Sequence, residues 1–172
     1  KFGGWTRVAN TIFDGYALRR TASYGTTVLN GPVIVLSEIG AVPGDTLTVY
    51  TLITGTSGTI NCPGRFDSGT DGAYVGSQLM PVNATGGATL TAPSATPQWL
   101  RHSVVIPANA TRFVIYPYTA TAGVTFDVVA VWGYKGAAVS GPDWPTQNEE
   151  LYYRLRDADL TAAMTTNTTQ TT

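Results

Sequence analysis

The feature that most constrains this chain is a set of segments in which β-branched and aromatic residues alternate along the sequence almost without charge. Residues 46–53 read TLTVYTLI, which places Leu47 and Val49 on one face of an extended strand and the residues between them on the other. Residues 112–118 (RFVIYPY) and 124–132 (VTFDVVAVW) are patterned in the same way. Such period-two alternation is typical of β-strands that bury one face. We therefore expect β-strands to build the core.

The ionisable content of the chain excludes several classes of function. Asp, Glu, Lys and Arg make up 12% of the 172 residues, about half of the roughly 25% typical of soluble domains. The net charge is −1, so the chain lacks the basic surface that nucleic-acid binding requires. One His and one Cys leave little material for nucleophilic or zinc chemistry. We expect a binding or structural β-domain that is not an enzyme.

Turn signals divide the first 145 residues into short strands. Nineteen Gly and ten Pro are scattered without a period, and strands at spacings of roughly 8–12 residues are typical of a sandwich or barrel. In the turn at residues 40–45, Pro43 fixes φ, Gly44 tolerates positive φ, and Asp45 can accept hydrogen bonds from the first amides of the next strand. We predict an all-β fold with its main strands at residues 12–18, 33–37, 46–54, 73–79, 98–106, 112–118 and 124–132, and shorter ones at 58–61 and 88–91.

The character of the sequence changes after the Pro- and Trp-containing segment 141–145. A helix is predicted from residue 149 to about residue 164, with Thr146 or Asn148 as its N-cap. Its apolar residues match either a coiled-coil seam or a helix packed on its own domain; they are Leu151, Leu155, Ala158 and Ala162. We therefore divide the chain into a β-sandwich domain at residues 1–145 and a C-terminal helix with a polar tail or linker at residues 146–172.

The ends and the apolar content of the chain bear on its location. The sequence contains no apolar run of the roughly 18 residues that a membrane-spanning helix needs. It begins at Lys1 without an initiator Met or the apolar core of a signal peptide. We expect a chain that is processed, excised from a longer polypeptide or partly represented, and we expect no membrane insertion.

The few residues able to do nucleophilic or acid–base chemistry are better explained structurally. His102 lies in an apolar strand segment, which predicts a core or interface histidine, and Cys62 precedes Pro63 in a loop. A glycosidase needs two carboxylates across a cleft. That alternative stays open for a pair drawn from Asp14, Glu38, Asp45, Asp67 and Asp71.

The oxygen-rich loop at residues 65–72 is a candidate cation site. Asp67 and Asp71 are candidate Ca²⁺ ligands there, because calcium prefers carboxylate and hydroxyl oxygens. The residue that would close an EF-hand loop is Gln78 rather than Glu, so a turn without metal is the alternative. We expect no other cofactor.

The aromatic residues are the strongest lead toward a ligand. Four Trp and nine Tyr offer flat rings on which sugars can stack, with polar groups that reach sugar hydroxyls. On the strand at 112–118, Val114, Tyr116 and Tyr118 share one face, and we expect the preceding strand segment to adjoin it. The predicted site uses Trp99, Tyr116, Tyr118 and Tyr74 for stacking and Arg101 and Gln78 for hydrogen bonds. Ordinary core packing of these rings is the alternative.

Several segments resemble the jelly-roll carbohydrate-binding domains that bacteriophage tail-fibre and minor tail proteins carry. Residues 42–51 (VPGDTLTVYT) are similar to the start of one of their strands, and residues 101–110, 112–116 and 124–132 are similar to their last strands. The Pro- and Trp-containing segment at 141–150 is similar to the connection that follows. The resemblance implies a jelly-roll β-sandwich.

Together these observations predict a non-catalytic glycan-binding or adhesion domain of a phage or virion appendage. Its expected partners are a bacterial surface glycan and other virion proteins, and its expected location is the virion or the extracellular space. The C-terminal helix would join copies into a homo-oligomer and so raise the avidity of weak sites. The alternative is a purely structural virion subunit, such as a head fibre, decoration or tail-tip protein, with its aromatic residues at subunit interfaces.

Overall fold

The computed structural model describes residues 5–10, 15–21, 31–56, 58–69, 73–83, 87–91, 97–119 and 123–138. All of them belong to the first of two compact units, Lys1–Ala138. The second unit is Val139–Thr172. The residues for which a C-terminal helix and a domain boundary were predicted fall within this second unit, outside the described residues.

Strands make up most of the described part of the chain, together with one 3₁₀ helix at Leu36–Ile39. None of the described residues forms a helix long and apolar enough to cross a membrane. The strands are β1 (Trp5–Asn10), β2 (Gly15–Thr21), β3 (Val33–Val35), β4 (Thr46–Gly55), β5 (Thr59–Asn61), β6 (Gly64–Ser68), β7 (Ala73–Leu79), β8 (Val82–Asn83), β9 (Thr89–Thr91), β10 (Gln98–Val105), β11 (Arg112–Ile115) and β12 (Thr125–Lys135).

The strands form antiparallel sheets. A six-stranded sheet has the order β1-β2-β12-β4-β10-β8, and a four-stranded sheet has the order β3-β11-β6-β7. Strands β5 and β9 form a two-stranded ribbon. Neighbouring strands pair antiparallel throughout the described sheets. The prediction of an all-β fold is therefore confirmed for the part of the chain that the structure describes.

One apolar core fills the space between the two larger sheets. From the six-stranded sheet, β4 contributes Leu47 and Val49, both fully buried. From the four-stranded sheet, β11 contributes Phe113 and Ile115, and β6 contributes Phe66. Each such side chain adds about 1.5–3 kcal/mol when its apolar surface leaves water. The two sheets therefore pack as a sandwich.

The alternation of residues located the long strands. Strands β1, β6 and β8 were not predicted, and the other differences lie at strand ends and turns. The strand predicted at 33–37 ends at Val35, because the chain turns into the 3₁₀ helix and closes it at Gly40 with φ 64°. The strand predicted at 112–118 ends at Ile115. In the turn before β4, Gly44 has the expected positive φ of 92°. The Asp45 carboxylate accepts from the preceding Val42 N–H, 2.9 Å away, and not from β4 as predicted.

Candidate functional site

Three adjacent strands of the six-stranded sheet direct aromatic side chains to the face opposite the core. In the register of β4 with its two neighbours, Tyr50 lies beside Arg101 of β10 and Trp132 of β12. On the same face, Trp99 lies two residues before Arg101 on β10, and Tyr134 lies two residues after Trp132 on β12. We call Tyr50, Trp99, Trp132 and Tyr134 the outer aromatic cluster.

The four rings of this cluster form two stacked pairs. Trp132 stacks on Trp99 with ring centroids 5.8 Å apart and an interplanar angle of 22°. Tyr134 stacks on Tyr50 at 6.4 Å and 20°, while Tyr50 meets Trp99 edge-on at 6.2 Å. Tyr50 and Trp99 are only 5% and 6% exposed, whereas Trp132 and Tyr134 keep part of their surface in water. Buried rings thus support two accessible ones.

The position of Trp132 depends on a β-bulge in β12. Val129 is an extra residue between Val128 and Ala130, at the point where the register of β12 with β4 shifts. Without the bulge, alternation along β12 would direct Trp132 into the core, because a shift of one residue reverses the face of every later side chain. Gly133 takes the core-facing place instead, where a Cβ would come 2.4 Å from a methyl group of β3.

Charged groups lie on the same face as the outer aromatic cluster. Arg101 is partly buried beside Tyr50. Burial raises the pKa of Tyr134, and the positive charge of Arg101 acts against that rise. Further along the sheet, Arg19 and Asp127 form a two-point ion pair with both N–O distances at 2.8 Å. The hydrogen bond and charge of Asp127 raise the pKa of Arg19.

This arrangement can hold a flat, hydroxyl-rich ligand. The C–H faces of a sugar ring pack against aromatic rings, and guanidinium and hydroxyl groups nearby can hydrogen-bond to its hydroxyls. Beyond the rings, the Thr48 hydroxyl donates to the carbonyl oxygen of Gly136 at 2.7 Å. The same hydroxyl lies 3.4 Å from the hydroxyl of Ser103. The face therefore combines stacking surface with fixed polar groups.

The structure does not join the predicted site residues into one surface. Trp99 and Arg101 lie on the outer face of the six-stranded sheet, as part of the region around the outer aromatic cluster. Tyr116 follows β11, in the four-stranded sheet. The expectation that these two segments adjoin is wrong, because β10 pairs with β4 and β8 whereas β11 pairs with β3 and β6.

The remaining predicted residues lie on the four-stranded sheet or follow it. Arg65 of β6 lies between two aromatic rings, with Cζ 5.9 Å from the Tyr74 centroid and 5.7 Å from the Tyr116 centroid. Gln78 is exposed near the end of β7. Tyr118 pairs through its backbone with Asn61, with both N–O distances at 2.8 Å. Tyr74 and Tyr116 therefore belong to a second surface around Arg65.

Sequence reasoning missed three residues of the outer aromatic cluster: Tyr50, Trp132 and Tyr134. Tyr50 falls on the non-core face in the alternation of β4, a signal that was present in the pattern. Trp132 and Tyr134 flank Gly133. This alternation of two large side chains with a glycine would have indicated that Trp132 and Tyr134 share one face of β12 and Gly133 lies on the other.

The carboxylate of Asp67 is engaged by arginines. It is 1% exposed, with Oδ1 2.9 Å from Nε of Arg65 and Oδ2 3.7 Å from Nη2 of Arg112. Two guanidinium groups repel a cation from this position, so the geometry does not support Asp67 as a Ca²⁺ ligand. Asp71 lies outside the described residues. Within the described part of the chain, no group of three or more His, Cys, Asp and Glu residues is placed to hold a metal.

His102 and Cys62 are both core residues. His102 is 1% exposed and meets the ring of Phe113 edge-on at 5.3 Å. Burial lowers the pKa of His102 to about 4, and the backbone of Leu79 and Cys62 only partly offsets this effect. Burial also raises the pKa of the Cys62 thiol. The prediction of a core or interface histidine is therefore confirmed as a core position.

Several solved structures share this fold at low sequence identity. The xylan-binding CBM22-1 domain of Paenibacillus barcinonensis Xyn10C matches at TM-score 0.53 and 12% identity, over 80% of this chain and 85% of that one. The CBM22-1–GH10 modules of Clostridium thermocellum xylanase 10B, complexed with xylohexaose, match at 0.50 and 10%, over 83% and 28%. The enzymatically active domain of bacteriophage CBA120 tailspike protein 4 matches at 0.50 and 14%, over 79% and 20%.

These similarities establish the fold alone. The chain spans about a fifth of the length of the tailspike domain that it matches. No family model matches the sequence, and no curated protein matches it. The structures nevertheless place the chain among β folds that include carbohydrate-binding modules.

Proposed function

We propose that this chain is a non-catalytic glycan-binding domain whose ligand stacks on the outer aromatic cluster. The observation that carries the proposal is the pair of partly exposed rings, Trp132 and Tyr134, each stacked on a buried ring of a neighbouring strand. Arg101 lies beside them and supplies hydrogen-bond donors for sugar hydroxyls. A preformed aromatic surface binds without a large ordering cost.

The fold comparisons support a glycan as the ligand and inform its source. A xylan-binding domain and a module complexed with xylohexaose have this fold, and so does part of a phage tailspike domain. We propose a bacterial surface polysaccharide as the natural ligand and a phage or virion appendage, outside the cell, as the setting. We propose a jelly-roll topology, since the chain crosses repeatedly between the two sheets from β3 to β12.

The absence of catalysis is also a proposal, and the charges on the face support it. The six strands of the sheet that bears the cluster carry one acidic residue, Asp127. Arg19 holds its carboxylate at two points. Hydrolysis of a glycosidic bond ordinarily needs two carboxyl groups on opposite sides of the bond. Copies joined by the proposed C-terminal helix would bind a repeating polysaccharide through several weak sites at once.

The test is binding of the purified chain to xylohexaose and to an array of bacterial surface polysaccharides, measured by calorimetry and on the array. Trp132→Ala and Tyr134→Ala remove the accessible rings one at a time. Tyr16→Ala is the matched control, because Tyr16 is 61% exposed and lies on β2, outside the cluster. Thermal unfolding of each variant verifies that it remains folded, and a reducing-sugar assay detects hydrolysis.

Binding that weakens about tenfold in both cluster variants but not in Tyr16→Ala is the expected result. Binding that survives both substitutions would move the ligand away from this face. A folded wild-type chain that binds no glycan and self-associates would favour the structural virion subunit. Release of reducing ends would overturn the non-catalytic assignment.

A further inference from the structure

The outer face of the four-stranded sheet carries a second cluster with a different chemistry. We define the arginine–tyrosine cluster as Arg65, Tyr74, Tyr116, Asp67 and Arg112. Asp67 lies opposite Arg112 of β11 and opposite Tyr74 of β7 in the strand register. Arg65, two residues before Asp67 on β6, projects from the same face between the two tyrosine rings.

The cluster leaves an excess of positive charge at a fixed position. Arg65 meets Asp67 through Nε at 2.9 Å and through Nη2 at 3.2 Å, so its guanidinium orientation is set by a buried carboxylate. Arg112 approaches the same carboxylate at 3.7 Å. Two guanidinium groups share one carboxylate, which leaves one net positive charge. The side chains of Arg65 and Arg112 retain 14% and 23% exposure.

An accessible aromatic ring borders this charge. Tyr74 is 48% exposed, among the most exposed large side chains of the described residues. Tyr116 is 5% exposed, and burial raises its pKa to about 12, so it stays a neutral hydroxyl. In the irregular pairing of β6 with β7, Gly76 takes a φ of 85° and Gln78 is exposed at the same edge. A ligand at this edge meets one ring face and one fixed cation.

We propose that the arginine–tyrosine cluster is a second glycan site, selective for a sugar that bears a carboxylate, such as a uronic acid unit. The sugar ring stacks on Tyr74, and its carboxylate lies against the guanidinium groups of Arg65 and Arg112. Charge complementarity selects this occupant, because guanidinium groups bind carboxylates with directed, charge-assisted hydrogen bonds. A neutral sugar would use only the ring, and a simple anion would use only the charge.

The site is independent of the outer aromatic cluster, since the two belong to different sheets. A chain with both sites would bind an acidic heteropolysaccharide through its neutral and its charged units. The failure of one site therefore leaves the other intact.

Calorimetric titration with hexagalacturonate tests the proposal. The fully methyl-esterified hexamer keeps the sugar rings without the charge, and sodium acetate keeps the charge without the rings. We expect the acid to bind at least about tenfold more tightly than the ester, acetate not to saturate, and the affinity for the acid to fall with added salt. Equal binding of acid and ester, saturation by acetate, or no binding of the acid would overturn the proposal.

Three variants locate the site. Tyr74→Ala removes the accessible ring, and Arg65→Lys keeps a charge beside Asp67 but loses the planar fork; each should weaken binding of the acid about tenfold. Tyr16→Ala is the matched control, because Tyr16 also has an arginine over its ring, Arg7 at 3.4 Å, but lies on β2 of the other sheet. Trp132→Ala should leave the preference for the acid over the ester unchanged. Loss of binding in Tyr16→Ala, loss of that preference in Trp132→Ala, or full binding by Tyr74→Ala would place the acid elsewhere.

Discussion

Gly64 of β6 lies directly against the ring of Phe113 on β11. A Cβ built on Gly64 would come 2.1 Å from Cζ of Phe113, well inside any tolerable contact. Phe113 also meets Phe66 at 4.9 Å and His102 at 5.3 Å. The ring is therefore enclosed on several sides, and it fits in the core because position 64 has no Cβ.

Gly64→Ala should lower the free energy of unfolding by about 1–3 kcal/mol or more, because the enclosed ring has no room to move. Gly133→Ala is the matched comparison: its Cβ would meet the methyl end of Ile34, at 2.4 Å. That side chain is partly exposed and can change rotamer, so we expect a smaller loss. Urea unfolding followed by far-UV circular dichroism measures both. Equal losses would contradict the enclosed position of Phe113.

The two stacked tryptophans should contribute differently to stability. Trp99→Ala should cost about 3–5 kcal/mol because Trp99 is 6% exposed. Trp132→Ala should cost about 1–2 kcal/mol, because a partly exposed ring loses less buried surface. Far-UV circular dichroism is the suitable probe in urea, since tryptophan fluorescence changes with the substitutions themselves. A larger loss at Trp132 would reverse the assignment of supporting and accessible rings.

Two aspartates that form ion pairs, Asp67 and Asp127, should differ strongly in how much they contribute to the free energy of unfolding. Asp67→Asn should cost about 3–5 kcal/mol, since it leaves two guanidinium groups without their buried carboxylate. Asp127→Asn should cost about 1 kcal/mol or less, because its partner Arg19 is 46% exposed and solvent replaces the interaction. Thermal and urea unfolding of both variants test the contrast. Similar losses would mean that burial of Asp67 has little energetic weight.

Stability should depend on pH through His102. Its pKa is about 4 in the folded chain and about 6.5 when unfolded, so between these values the unfolded state binds the extra proton. The contribution of His102 is fully present above about pH 6.5 and is lost as pH falls toward 4, by up to about 1.4 kcal/mol per pH unit. Urea unfolding at several pH values measures this slope.

The control for this slope is His102→Leu, which removes the titrating group from the same buried position. Because the chain has one His and most carboxylates titrate near pH 4, the interval from pH 5 to 6.5 isolates its effect. We expect His102→Leu to be nearly flat there, whatever its absolute stability. An unchanged slope in the variant would assign the pH dependence to other groups.

The alternation of residues predicted the central strands because one face of each of these strands is buried in the core. Residues 46–54 correspond closely to β4, and residues 98–106 to β10. Strands β1, β6 and β8 were missed. In β6, Arg65 and Asp67 interrupt the apolar pattern. Asp67 is buried because Arg112 of the neighbouring strand β11 also approaches its carboxylate, and this long-range contact is not contained in a local pattern.

The site was only partly predictable for a related reason. Trp99 and Arg101 were identified because their strand alternates regularly. Which strands become neighbours is decided by long-range pairing, so the sequence did not reveal that β11, which Tyr116 follows, belongs to the other sheet. The face of β12 on which Trp132 lies depends on the single unpaired residue Val129. The residues on either side of Val129 are all compatible with a regular strand, so the sequence does not reveal the bulge.

Because of the bulge at Val129, the number of residues in β12 determines which side chains lie on the aromatic face. A single-residue deletion there would exchange the contents of the two faces along the second half of the strand. Tryptophan and tyrosine would enter the core, and Gly133 would be left on the surface. Loops between strands can lengthen at small cost, but this strand cannot change length by one. When variants of this chain are compared, gaps within β12 should therefore report loss of the aromatic surface more directly than substitutions do.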